Sequence, residues 1–293
     1  MREFDFLEPT TVAEASRMLA EHGDDCRVIA GGTALMLAMR QRMVVPTHLV
    51  SIARIDALRG ISFDPARGLR IGALSRHIDV ADAPVVREHY PMLADMAAHL
   101  ANPQVRHQGT FGGNLCYADP ATDPPTCLMA LGASVVLGSA RGERVLSMED
   151  FLVDYYTTAL EADEIVVEIR VPVPARDLVG KHTRYLRTAA EHRPLVSVAL
   201  AARRHGNVCG GARLVVGAST AIACRVPRAE SFLAGRAITP EIAEEAASIV
   251  AADIEPVSDQ RGSADYRRQM VRVVTRRTIA ELFGLADHED STT

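Results

Sequence analysis

A chain of 293 residues, 48% hydrophobic and 24% charged, is sized for about two globular domains with real cores. Its net charge is −5 with Lys and Arg spread throughout, aromatics are 4% and tryptophan is absent, which excludes a basic nucleic-acid footprint and a base-stacking surface. No apolar run approaches the ~18 residues of a membrane span, and MREFDFLEPT carries acidic residues and no apolar h-region, so no secretory leader is read and cytoplasmic residence is expected.

Residues 10–22 are expected to form a first helix. Thr11 and Glu14 make a capping box, Val12, Ala15, Met18 and Leu19 line one side, and Gly23 follows the end. Arg27-Val28-Ile29-Ala30 reads as a short buried strand, Gly31-Gly32-Thr33 as the turn after it, and residues 34–40 as helix. A strand from His48 to Ile52 follows Pro46, and residues 61–74 form a hairpin turning at Pro65 to Gly68. A helix at about 91–101 leads into a loop over Gln108 to Asn114. Asp123, as cap, and Pro124-Pro125, in the first turn, open a helix to about Leu131, followed by a strand over 133–137. The β-branched run Ile165 to Val171 is a strand stopped by Pro172 and Pro174, and VPVPARD is the expected linker. Strands at about 195–203 and 211–218 come next, then helices near 228–234, 240–252 and 263–283, and HEDSTT is read as a disordered tail. Short strands and helices without strict βαβ alternation indicate an α+β protein.

Two segments point to a ligand. In Ala30-Gly31-Gly32-Thr33-Ala34-Leu35, between strand and helix, adjacent glycines let the backbone approach an anion and turn its N–H groups inward, and the helix start behind adds positive potential. The alternative is a tight strand–helix turn with no ligand. Neither the GxGxxG fingerprint nor a P-loop ending in Gly-Lys-Ser/Thr is present, so a nucleotide here needs another architecture. In Thr110-Phe111-Gly112-Gly113-Asn114, Thr110 and Asn114 offer hydrogen-bonding side chains around an approachable backbone; the alternative is an Asx-type turn plus a capped helix. Two separated diglycine segments suit a long ligand with phosphates at one end.

The five cysteines (Cys26, Cys116, Cys127, Cys209, Cys224) form no CxxC pair, which argues against disulfide framework, zinc and iron–sulfur cluster alike. Cys116 is expected to be a buried small hydrophobe. The ten histidines lack HxxxH and HExxH spacing, so no metal ligands are assigned, and His107, near the second segment, is not expected to attach a flavin covalently. Arg267, Arg268, Arg272, Arg276 and Arg277 are expected on a solvated helix face. No nucleophile–base pair stands out and no catalytic residue is assigned, as suits a protein whose chemistry belongs to a cofactor.

AGGTALM, GTFGGNLCYADPATDPP and SDQRGSADYRRQM together resemble the FAD-binding medium subunit of the xanthine dehydrogenase and carbon monoxide dehydrogenase family, the molybdenum hydroxylases, nearly end to end. The resemblance implies a two-subdomain FAD-binding fold of the vanillyl-alcohol-oxidase/PCMH-like type over 1–175 (subdomains about 1–55 and 56–175), a smaller C-terminal α+β domain over 178–285, and a flexible tail over 286–293. It implies non-covalent FAD and no metal on this chain. It also implies partners, a 2Fe–2S small subunit that delivers electrons and a molybdenum-cofactor large subunit, with an external acceptor beyond. By the resemblance, Arg27, Val28, Ile29, Ala30, Gly31, Gly32, Thr33, Ala34 and Leu35 surround the pyrophosphate. Thr110, Gly113, Asn114 and Asp123 contact the rest of FAD, Ile165 or Val166 covers an apolar face of its ring system, and Arg187 reaches its polar edge. Ala34 stands where relatives often carry a polar or acidic residue, and RTAAEHRP departs from the usual pattern around Arg187. A stand-alone FAD-dependent reductase of the same fold class is the alternative function.

Overall fold

The structure, a computed structural model, describes residues 2–188 and 190–285; the tail expected over 286–293 lies outside them. After β1 (Asp5–Leu7), the Thr11 hydroxyl caps α1 (Val12–His22) by accepting from the Glu14 N–H at 3.1 Å. The expected capping box is displaced by one residue, because the Glu14 carboxylate accepts from the Thr10 N–H at 2.8 Å instead. β2 (Cys26–Ile29), α2 (Leu35–Arg40) and β3 (His48–Ser51) complete a parallel sheet in the order β1-β3-β2. This part does alternate strand and helix. The sequence conceals it because β1 has three residues, too few to display a period.

The predicted hairpin is β4 (Ile61–Asp64) with β5 (Gly68–Gly72). There follow α3 (His77–Asp82), α4 (Pro84–His89), α5 (Pro91–His99), α6 (Pro103–Gln108), α7 (Phe111–Tyr117) and α8 (Pro124–Ala130). Prolines in the first turns of α4, α5, α6 and α8 cut this stretch into short helices, since proline suits a first turn but cannot continue the helix before it. Next come β6 (Ser134–Ser139), β7 (Gly142–Ser147), α9 (Met148–Phe151), the small ribbon of β8 (Leu152–Asp154) and β9 (Thr157–Thr158), and β10 (Ile165–Val171). An antiparallel sheet runs β4-β5-β10-β6-β7. Ala15 and Leu19 of α1 share one core with Cys26, Val50, Val136, Ile165 and Val167, so the two sheets pack through that helix.

The remaining elements are β11 (Leu178–Tyr185), β12 (Val196–His205), β13 (Val208–Gly217), β14 (Cys224–Arg225), α10 (Pro227–Leu233), α11 (Pro240–Asp253) and α12 (Ala264–Phe283). The four strands make one antiparallel sheet in chain order. Val196, Val198 and Leu200 alternate onto a core with Val250 of α11 and Val271 and Ile279 of α12. Ser197, on the opposite face, donates to the Thr126 hydroxyl of α8 at 3.2 Å. β12 is thereby covered on both sides, which explains its unbroken buried run.

Among the described residues, 2–119 with 132–173 form one compact unit and 120–131 with 174–285 the other. The expected solvated arginine face is corrected at Arg267. Its side chain is wholly enclosed in the second unit and donates to the carbonyls of Leu195 and Ala218.

Candidate functional site

In the first unit, β2 delivers residues 30–34 as a turn that crosses to α2. Gly32 adopts φ 71°, a left-handed conformation that disfavours any side chain. Gly31 is required for a different reason. A Cβ there would overlap the Gln108 carbonyl oxygen and stand 3.0 Å from both the Gln108 carbonyl carbon and the Gly109 Cα. A Cβ on Gly113 would lie 3.9 Å from that of Ala30. The two diglycine segments, distant in sequence, are thus adjacent in space.

The second segment is helix rather than the expected loop. Thr110 is the N-cap of α7, its hydroxyl accepting from the Gly113 N–H at 3.1 Å. Gly112 lets this helix close onto the segment after β5. A Cβ on Gly112 would fall 2.6 Å from the Ala73 Cβ, and its N–H donates to the Ala73 carbonyl at 2.9 Å. The Phe111 N–H donates to Ser75 O at 2.9 Å, and Arg76 and Thr110 form an isolated β-bridge. Much of the glycine content therefore serves contact of backbone with backbone. What remains for a ligand is the first turn: no backbone N–H from Gly31 to Leu35 is given to an acceptor among the described residues. Consecutive unspent N–H groups next to a helix start form a cradle for an anion.

Other predicted positions divide. Ala34 occupies the N-cap of α2 and makes no side-chain cap bond, so the hydrogen bond a polar residue would add there is missing. Arg27 folds back onto its own turn, donating to the carbonyls of Asp24 at 2.8 Å and Cys26 at 2.6 Å. Val28 and Ile29 are half-buried, and Ile29 packs over Gly32. Ile165 and Val166 are each 3% exposed in β10, with Ile165 part of the core. Cys116, expected to be buried, is exposed on α7.

In the second unit, Asp123 sits at the N-cap of α8 but does not cap it. Pro124 and Pro125 have no N–H to offer, which removes two of the donors a capping carboxylate would use. The carboxylate is instead enclosed, with Oδ1 3.5 Å from His182 Nε2 and Oδ2 3.6 Å from Arg184 Nη1. Arg187 is closed onto Glu191, donating from Nε at 2.8 Å, while its Nη1 donates to the Arg261 carbonyl at 3.1 Å.

Residues 2–174 match the model of the FAD binding domain in molybdopterin dehydrogenase, and residues 181–282 that of the CO dehydrogenase flavoprotein C-terminal domain. The chain belongs to the FAD-binding medium subunits of the molybdopterin dehydrogenases. It is 33% identical to the carbon monoxide dehydrogenase medium chain of Hydrogenophaga pseudoflava, over 94% of this chain and 96% of that one. It is 32% identical to the nicotine 6-hydroxylase medium subunit of Paenarthrobacter nicotinovorans, over 94% and 96%. Among solved structures, carbon monoxide dehydrogenase from Hydrogenophaga pseudoflava matches with TM-score 0.93 at 33% identity, over 97% of this chain and 99% of that one. Quinoline 2-oxidoreductase from Pseudomonas putida 86 matches with TM-score 0.91 at 33% identity, over 97% and 98%. The recognised family and the α+β class, an FAD-binding region followed by a C-terminal flavoprotein domain, both hold. The chain is an FAD-carrying electron-transfer subunit of a multi-subunit oxidoreductase; a stand-alone reductase is not favoured.

In this medium subunit one residue beside the glycine segments escaped the sequence. His77 is 2% exposed, its backbone N–H donates to Gly109 O at 3.2 Å, and its ring lies 5.2 Å from that of Phe111. Burial, reinforced by the Arg106 charge, pushes its imidazole down to about 4 from an ordinary 6.5. The unfolded chain binds a proton below 6.5 that the folded chain refuses until about 4, so stability present above 6.5 is lost as pH falls through that window. The loss is roughly 3 kcal/mol by linkage. Melting temperature should drop steeply between pH 6.5 and 4 in the wild type and less steeply in His77→Phe; equal slopes would remove His77 from the account.

Proposed function

We propose that this medium subunit holds FAD non-covalently where its two glycine segments meet, takes electrons from a 2Fe–2S small subunit served by a molybdenum-cofactor large subunit, and passes them to an external acceptor. The observation that carries this reading is the abutment of Gly31 on Gln108 and Gly109, beside unspent N–H groups from Gly31 to Leu35. These N–H groups are suited to the pyrophosphate oxygens, with Val28 and Ile29 packing behind them. Bound FAD supplies the exchange between single-electron and paired-electron transfer.

The Thr110 hydroxyl, having accepted from Gly113, keeps its own hydrogen to donate toward the cofactor. Asn114 stands on the same turn, and the N–H of Gly113 is already taken, so Gly113 contributes approach rather than a bond. Asp123 offers a carboxylate acceptor fixed between His182 and Arg184. Ile165 and Val166 supply apolar surface. Arg187 reaches the cofactor's polar edge only with a guanidinium shared with Glu191, and Arg27 acts by bracing the turn before β2 rather than by direct donation. The functional domains are assigned as 1–175, with subdomains about 1–55 and 56–175, and 178–285. No metal is assigned to this chain. No helix among the described residues is long and apolar enough to cross a membrane, and the working location is assigned to the cytoplasm.

Purified protein is expected to be yellow, with absorbance near ~450 nm that denaturation releases into solution, as for a non-covalent flavin. Added FAD should raise the melting temperature of stripped protein. A colourless chain that FAD fails to stabilise overturns the reading. Metal analysis of the native complex tests the partners: iron and molybdenum should co-purify with this chain.

A further inference from the structure

We propose that the turn after α2 is a docking surface for a partner subunit that presents carboxylates around an apolar patch. This rests on the reading of the chain as one member of a complex. The Gln41 N–H donates to Leu37 O at 3.0 Å, Arg42 N–H to Met39 O at 3.1 Å and Met43 N–H to Ala38 O at 3.0 Å, which reverses the chain tightly. Arg42 holds the left-handed position of that turn at φ 58°, a place glycine fills at many helix ends without a Cβ penalty. Arg42 at that position presents its side chain at the surface.

The turn throws Met43 outward, 74% exposed, beside Leu37 at 55% and Val45 at 43%. A cleft of about 180 Å³ opens at the same turn, lined by Arg2, Met39, Arg42, Val44, Val45 and Pro46. Single exposed apolar residues are ordinary on a monomer, whereas three on one short segment that also opens a cleft suit a contact surface. The charge names the occupant. Residues 35–47 contain Arg40 and Arg42 and no carboxylate, on a chain whose net charge is −5. Arg2, Arg40 and Arg42 enter no ion pair among the described residues, although most arginines of this chain do. Arginine and methionine are also the side chains enriched in the buried parts of protein interfaces.

The test is purification of the native complex through a tag on this chain, wild type against Arg42→Glu with Met43→Asp, and against Arg42→Gly alone. The double variant should keep wild-type FAD content and melting temperature as an isolated chain, yet recover at least tenfold less iron and molybdenum with it. Arg42→Gly should raise the isolated chain's melting temperature by about 2–4 °C, as relief of local strain in a domain of this size would, while still weakening assembly. Undiminished metal recovery with the double variant overturns the proposal. So does retention of the wild type, but not the variant, on anionic phospholipid vesicles, which would make the surface a membrane contact. A wild-type chain that recovers no metal-bearing subunit overturns the complex reading and the docking surface with it. A wild type that recovers them while the variant does also leaves the complex standing and removes only the surface.

Discussion

Gly31→Ala is expected to weaken FAD binding by about tenfold to a hundredfold, as an overpacking cost of ~1–3 kcal/mol would if borne by the closed arrangement of the two segments. The added methyl would overlap the Gln108 carbonyl oxygen and press on Gln108 C and Gly109 Cα, each at 3.0 Å. These are backbone atoms, and no rotamer change moves them aside. The first segment must back away from the second, taking with it the N–H groups from Gly31 to Leu35. Gly113→Ala is the contrast. Its Cβ would meet the Thr110 hydroxyl oxygen at 2.8 Å, a side-chain atom that can turn. It should cost far less affinity, and whatever it costs should come from disturbing the Thr110 cap. Quenching of flavin fluorescence on titration measures both. If Gly31→Ala binds FAD as tightly as wild type, the cofactor is not held where these segments meet.

The diglycine segments were legible because close approach of one backbone to another object leaves glycine as the residue that fits. Which object approaches is not written in the sequence. Gly31 and Gly112 turn out to face protein backbone, at Gln108 and Ala73 respectively. The helical state of the second segment was hidden by Gly112-Gly113, since glycine costs a helix about 1 kcal/mol relative to alanine. Burial of Phe111 and Leu115 and the Thr110 cap outweigh that. β11 was missed because LVGKHTRY is polar and its only buried residue is His182. His77 gives no local signal, being a lone histidine on a six-residue helix.

Two misreadings had signals that could have corrected them. Asp123 was expected to cap α8, yet Pro124 and Pro125 had already removed donors such a cap needs. Arg267 was expected on a solvated face, yet with Val271, Val274 and Thr278 it continues the apolar stripe of α12 at helical spacing, and all four are buried. Charge argued for the surface and periodicity for the interior, and periodicity prevailed because the folded chain gives Nη1 two carbonyl acceptors and Nη2 the Asp259 carboxylate.

Replacing Arg267 by methionine is expected to cost the fold about 3–5 kcal/mol, the range for removing one partner of a buried ion pair. At about 2–4 °C per kcal/mol the melting temperature should fall by roughly 10 °C. Nη1 of Arg267 donates to Leu195 O at 3.1 Å and Ala218 O at 2.6 Å, and Nη2 stands 2.6 Å from Asp259 Oδ1. Methionine fills the volume but removes the donor to Ala218 O and the counter-charge of Asp259, while Leu195 O keeps the Ser219 hydroxyl and Asp259 Oδ1 the N–H groups of Arg261 and Gly262. Asp259→Asn should cost less than Arg267→Met, because the amide oxygen can still face the guanidinium and the position is about a third exposed, but it leaves the wholly buried Arg267 cation without its counter-charge. Burial works to raise the Asp259 carboxyl, but the bonds from Arg267 and Arg261 outweigh it and hold it at about 2, against 3.8 ordinarily. Its contribution is therefore intact above about pH 4 and is lost as pH falls toward 2, a decline that Asp259→Asn should flatten. On the proposed reading, in which Arg187 reaches the cofactor, the consequence extends to FAD binding. Arg261, fixed by Asp259, donates to Pro194 O at 3.2 Å and accepts from Arg187 at 3.1 Å, so the motif around Asp259 braces the segment that carries Arg187. Arg267→Met should accordingly weaken FAD binding even at temperatures where the variant is fully folded. A variant that melts like wild type would show that the buried guanidinium holds nothing in place.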